Sequence, residues 1–96
     1  MKFLRKRDIP KEKYSNTFLG FGLEETNFFV ELTCNYGVPL YDIGTGFGQF
    51  AIATPDVYKL VEGVCANGGN IIREPSPVKG GSIVISFLKD PNGYIF

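Results

Sequence analysis

"TPDVYKLVEGVCANGG", Thr54 to Gly69, is the stretch that decides the fold class. Val57, Leu60, Val61, Val64 and Cys65 recur at i, i+3, i+4, i+7 and i+8, which lines them up as one apolar stripe on a helix. Thr54 suits the N-cap, Pro55 the first helical position, and Asp56 complements the positive end of the dipole. Gly68-Gly69 ends the helix. Cys65 lies on the stripe and reads as a small buried hydrophobe. This is the single convincing helix of the chain, and strands flank it on both sides.

Upstream, "FGQFAIAT" reads as a strand over Phe47–Thr54, with Gln49, Ala51 and Ala53 on one face and Phe50 and Ile52 on the other. Downstream come "NIIRE", a Pro/Gly loop, the strand "SIVISFL", and "DPNG", whose Asn92-Gly93 between apolar runs signals a hairpin into "YIF". The second half therefore reads βαβββ. In the first half, "MKFLRKRDIP" reads as an edge strand ended by Pro10, with Phe3 and Ile9 on one parity. "KYSNTFLGFG" follows, with Tyr14, Asn16 and Phe18 on one face. "TNFFVELT" places Phe28, Val30 and Leu32 on one side and Phe29, Glu31 and Thr33 on the other. The first half reads βββ, as an identical unit without its leading strand and helix.

The glycines of "GTGFG", Gly44 to Gly48, imitate a phosphate-binding loop, but such a loop follows a strand and opens a helix. Here the glycines precede a strand, so nucleotide binding is set aside. They suit a flexible entry to a strand that packs closely on other backbone. Gln49 and Glu31 each have two readings from the residues alone: a solvent-facing polar group, or a polar group on a pocket wall.

The 96 residues carry ten basic and ten acidic side chains, enough for one domain and without the positive excess that phosphate neutralisation needs. Met1–Lys13 is nevertheless basic, with six cationic against two anionic residues. There is no histidine, which rules out histidine catalysis and histidine–metal ligation within this chain. Cys34 and Cys65 lack metal-type spacing and read as free thiols of a reducing compartment. No run reaches membrane-spanning length. Neither a nucleic acid nor a membrane is expected as partner.

Taken in order, "RKRDIPKEKYSNTFLGFG", "VELTCNYGV", "YDIGTGFGQFAIAT", "GGNIIREPSPVKGG" and "DPNGYIF" resemble the glyoxalase I (lactoylglutathione lyase) family of the vicinal oxygen chelate superfamily, in its plant and bacterial short form. The resemblance spans the chain and implies an α+β fold of paired βαβββ modules, the first lacking its leading strand and helix. It divides the chain into a partial first module, 1–36, a linker, 37–46, and a second βαβββ module, 47–96. The implied activity is metal-dependent isomerisation of the hemithioacetal of glutathione and methylglyoxal to S-lactoylglutathione. A proton moves between adjacent carbons through an enediolate, with a carboxylate near the metal as shuttle. The implied metal is nickel, with cobalt or zinc as alternatives, and glutathione is the co-substrate.

Carried over position by position, the resemblance makes Glu31 a metal ligand and catalytic carboxylate, and Gln49 a metal ligand where the family usually has histidine. It makes Asn35 a glutathione contact, Ile9, Asn16 and Phe18 part of the methylglyoxal pocket wall, and Lys79 a partner for a glutathione carboxylate. The family's remaining ligands fall before Met1 and after Phe96, the latter a glutamate that also serves as the base. The resemblance thus implies a chain truncated at both ends, inactive alone, located in the cytoplasm or plastid, and self-associating or paired with another module. Uncovered apolar surface is expected on the first three strands rather than on the helix. The alternative is a non-catalytic module that binds glutathione conjugates.

Overall fold

A computed structural model describes residues 1–96. The chain divides into two compact units, Met1–Pro39 and Leu40–Phe96. The first is a three-stranded antiparallel sheet in the order β1 (Lys2–Ile9), β2 (Tyr14–Gly20), β3 (Phe29–Asn35). Pro10–Glu12 makes one 3-10 turn between β1 and β2, closed where Lys13 takes a left-handed conformation and donates to Pro10 O at 3.2 Å. Between β2 and β3 the chain turns at Leu23, whose carbonyl accepts from Thr26 N at 3.2 Å and Asn27 N at 2.9 Å. That turn consumes Thr26 and Asn27, so β3 starts three residues later than its sequence pattern suggests and runs on to Asn35.

Register decides which side chains share a face. Tyr14, Asn16 and Phe18 lie together on β2, opposite Asn35, Thr33 and Glu31 on β3. On β1 a bulge between Phe3 and Arg5 shifts the pairing, so Arg5 stands opposite Phe18 while Phe3 stands opposite Leu19. The extra residue reverses the alternation. Phe3 and Ile9, expected on one face, therefore pair into opposite ones. Phe18 is the buried apolar residue of this unit, 3% exposed, and its ring packs on Phe29 at 5.8 Å.

The second unit sets α1 (Val57–Ala66) against the hairpin of β4 (Asn70–Pro77) and β5 (Val84–Lys89). Asp56, rather than Thr54, caps the helix: its Oδ1 accepts from Lys59 N at 3.0 Å, and Pro55 falls before the cap. A carboxylate satisfies an orphan amide and favours the dipole at once, so it outcompetes the hydroxyl two residues upstream. Only Val61 of the stripe is buried. Cys65, expected inside, is exposed, because two strands are too narrow to cover the whole stripe. Tyr58 and Leu60 are exposed as well, so uncovered apolar surface is not confined to the first three strands, where Phe3 and Leu32 carry it.

Phe47–Thr54 forms no strand, contrary to its alternating pattern. Phe50 N donates to Ile95 O at 2.9 Å, and no ladder continues from that bond. The segment is held by rings instead: Phe47 meets Tyr94 edge-on at 5.2 Å, and Phe50 meets Phe96 at 5.5 Å. The chain end folds back as the Asn92-Gly93 signal suggests, with Asp90 Oδ1 accepting from Asn92 N at 2.9 Å and Tyr94 N at 2.8 Å. Leu88 and Phe96 then exchange two backbone bonds of 2.9 Å.

α1 closes in a paired C-terminal motif: Gly69 N donates to Val64 O at 2.8 Å and Gly68 N to Cys65 O at 3.0 Å, with Gly68 at φ +79°. A side chain at Gly68 would meet open space, so only the left-handed backbone opposes it. Gly68→Ala is expected to lower stability by about 1 kcal/mol, read as a shift of the urea midpoint with an unchanged m value.

A candidate carboxylate site on the first sheet

Three cross-strand rows build one polar face of the first unit. They run Arg5–Phe18–Glu31, Arg7–Asn16–Thr33 and Ile9–Tyr14–Asn35. Asn16 is at their centre and is 1% exposed, the one fully buried side chain of any size. A buried amide must find partners for both ends. Arg7 Nη2 donates to Asn16 Oδ1 at 3.1 Å, and Asn16 Nδ2 donates to Glu31 Oε1 at 2.8 Å and to Thr33 Oγ1 at 2.9 Å. Glu31 is exposed, with one oxygen held by this amide and Oε2 without a partner.

Arg5 is engaged elsewhere. Its guanidinium lies 3.8 Å from the Phe18 ring centroid and forks onto Glu24, Nε to Oε1 at 2.8 Å and Nη2 to Oε2 at 3.1 Å. The Glu24 hydrogen bond raises the Arg5 pKa above its already high ordinary value; desolvation opposes this, and the charges of Glu24 and Glu31 add to it. Arg5 is therefore a fixed cation, pinned between a ring and a carboxylate, on the row that ends in Glu31.

The expected site residues are thus brought together unevenly. Glu31, Asn16 and Phe18 are mutual neighbours, and Ile9 and Asn35 share the next row through Tyr14. Gln49 and Lys79 belong to the second unit, both exposed, Gln49 in the extended segment before α1 and Lys79 in the turn between β4 and β5. The Asn16 amide accepts from Arg7 and gives both of its N–H groups to Glu31 and Thr33. Arg5, Arg7, Thr33 and Glu24 were not singled out from sequence. The parity of Arg5, Arg7 and Ile9 on β1 was the signal available for the first two.

For a divalent metal, Glu31 offers one open oxygen with its other oxygen anchored, the arrangement that outer-shell hydrogen bonds give to ligands. No group of three or more His, Cys, Asp or Glu side chains converges anywhere in the chain. The residues of this chain alone do not make a coordination set. Two surface depressions, one along α1 from Thr54 to Gly69 and one at Leu4, Arg5 and Gly22–Glu25, are not lined by Glu31. No helix is long and apolar enough to cross a membrane.

Comparison with known proteins bears on this geometry. The family described as the Glyoxalase/Bleomycin resistance protein/Dioxygenase superfamily matches residues 1–96. A lactoylglutathione lyase of Arabidopsis thaliana is 73% identical over 96 residues, covering 100% of this chain and 34% of that protein. A lactoylglutathione lyase of Haemophilus influenzae is 48% identical over 94 residues, covering 98% of this chain and 70% of that protein. The crystal structure of glyoxalase I from Zea mays superposes with a TM-score of 0.94 at 69% identity, over 99% of this chain and 34% of that one. The chain thus spans about a third of the length of its plant relatives, and its fold is the α+β glyoxalase fold with one helix.

Phe18 tests whether its row is structural or ligand-facing. At 3% exposure under the Arg5 guanidinium, Phe18→Ala is expected to cost about 3 kcal/mol, the loss of one buried ring. Thermal unfolding should register it with or without any ligand; a variant as stable as the parent would show that Phe18 is not core.

Proposed function

Because the chain belongs to the Glyoxalase/Bleomycin resistance protein/Dioxygenase superfamily, we propose that it takes part in the lactoylglutathione lyase reaction, with Glu31 as the carboxylate at the reacting centre. The substrate is the hemithioacetal of glutathione and methylglyoxal. One proton leaves the carbon that bears sulfur and returns to the adjacent carbon, so the reaction is an isomerisation with no net gain or loss of atoms. The observation that carries this reading is Glu31 itself: a carboxylate whose Oε1 is held by Asn16 and whose Oε2 is open, in a chain so close to lyases along its whole length. An open carboxylate oxygen at a fixed position can ligate a divalent cation or exchange a proton, the tasks of a carboxylate at such a centre.

A divalent metal, nickel first and cobalt or zinc as alternatives, would supply charge stabilisation to the developing enediolate when bound. Glu31 and Gln49 are the donors proposed from this chain, and no step is assigned to the ion because three strong donors do not converge here. The remaining donors are then expected from a second glyoxalase module, in a self-associated or paired assembly whose interface would use exposed residues such as Phe28 and Leu32. Asn35 and Lys79 are proposed as glutathione contacts, and Ile9 as part of the methylglyoxal pocket wall. A cytoplasmic location, with the plastid as alternative, accompanies this reading.

The same lack of convergent donors favours one other reading, a module that binds glutathione conjugates without chemistry. Calorimetric titration of the purified protein with S-hexylglutathione, with and without nickel chloride, separates the two. The lyase reading expects nickel to tighten binding, and Glu31→Gln to weaken nickel binding about tenfold or more. Conjugate binding that ignores both nickel and Glu31 selects the binding module.

A further inference from the structure

We propose that Asn16 is the positioning residue of the Glu31 carboxylate, and that Arg7 fixes which way the Asn16 amide points. This deepens the reading above and rests on Glu31 being the carboxylate at the reacting centre. The argument uses donor and acceptor chemistry. Arg7 can only donate, and an ionised Glu31 can only accept. Asn16 stands between them, buried, with its oxygen 3.1 Å from Arg7 Nη2 and its nitrogen 2.8 Å from Glu31 Oε1. An amide has one accepting end and one donating end, so a single orientation satisfies both neighbours.

Thr33 Oγ1, 2.9 Å from the same nitrogen, takes the second N–H and leaves the amide no spare donor. Rotation of the amide by half a turn would set oxygen against carboxylate and nitrogen against guanidinium. The orientation is therefore locked from both sides, and burial excludes the water that could relieve a misfit. What the lock delivers is directional. Glu31 is an exposed side chain on a strand, and such a side chain ordinarily samples several rotamers. Held at Oε1 it keeps one rotamer and presents Oε2 at a constant place.

Aspartate and leucine separate this role from packing. Asn16→Asp keeps the shape and replaces the donating end with an acceptor; Asn16→Leu keeps the volume and removes both ends. Nuclear magnetic resonance on the whole chain, without metal or glutathione, reads the consequence through the side-chain couplings that report Glu31 χ1. The parent is expected to show one dominant rotamer. Both variants, checked as folded by their amide spectra, are expected to show averaged couplings, and the isomerase rate, wherever it is measurable, is expected to fall about tenfold or more with KM nearly unchanged. A Glu31 that stays fixed in Asn16→Asp overturns the proposal.

Should either Asn16 variant fail to fold, Glu31→Gln supplies the second measurement, because Glu31 is exposed and its loss spares the core. A neutral amide oxygen accepts more weakly than a carboxylate. The Asn16 side-chain N–H signal that faces residue 31 is expected to move upfield while the one facing Thr33 holds. Two unmoved signals would mean that no bond joins Asn16 to Glu31, which also overturns the proposal. Neither coupling nor shift depends on catalysis, so a locked Glu31 in a protein that ignores nickel would sink the lyase reading and leave this one standing.

Discussion

The first unit depends on how one buried amide is satisfied. A three-stranded sheet that places Asn16 at 1% exposure gives up the favourable transfer that an aliphatic residue would contribute there. Leaving the amide unpaired as well would cost about 1–3 kcal/mol. Instead both N–H groups and the carbonyl oxygen of the side chain are engaged, across both neighbouring strands, and no buried side-chain nitrogen or oxygen lacks a partner. The bonds tie β1 to β2 and β2 to β3 through side chains, in addition to the backbone ladders. Register and polar network are thereby coupled: a slip of one residue would turn Asn16 to the other face and strand Arg7, Glu31 and Thr33 together.

Apolar burial is thin in both units, with Phe18 in one and Val61 in the other as the buried apolar side chains. Local backbone chemistry carries a larger share than usual: the Asp56 cap, the paired glycine motif after α1, and the Asp90 turn that folds the chain end onto β5. These devices act within a few residues and need no large core. The apolar surface left over, on β3 at Leu32 and on α1 at Leu60, is of the kind that further protein layers cover in larger assemblies.

Elements governed by local pattern were legible. The period of two on β2 and β3 assigned Asn16, Phe18 and Glu31 to their face, and the 3.6 period with its closing glycines located α1. Features that arise between segments were not. The β1 bulge between Phe3 and Arg5 belongs to the pairing with β2, beside Gly20, where an added Cβ would come 2.9 Å from Leu4 Cδ1. Phe47–Thr54 has strand-like alternation but only one backbone bond to Ile95, and alternation without a neighbouring strand makes no ladder. Cys65 lies on the correct helix face, yet burial requires area opposite that face, which no helical pattern encodes. The hydrogen-bond partners of Asn16 were not legible either, because Arg7 and Glu31 lie 9 and 15 residues away, on strands whose pairing had to be known first.

The bulge also settles which cation meets which carboxylate. Arg5 and Glu31 share a row with Phe18 between them, and both are charged, so a direct fork was available in principle. A guanidinium that forks onto a carboxylate occupies both of its oxygens. Glu24 takes that fork instead, from a turn that reaches back over β1, and the Phe18 ring supports the guanidinium plane from below. Glu31 is left to a neutral amide that can engage one oxygen only. Charge nearby without a direct ion pair leaves Glu31 Oε2 uncommitted, which the proposed role of that carboxylate requires.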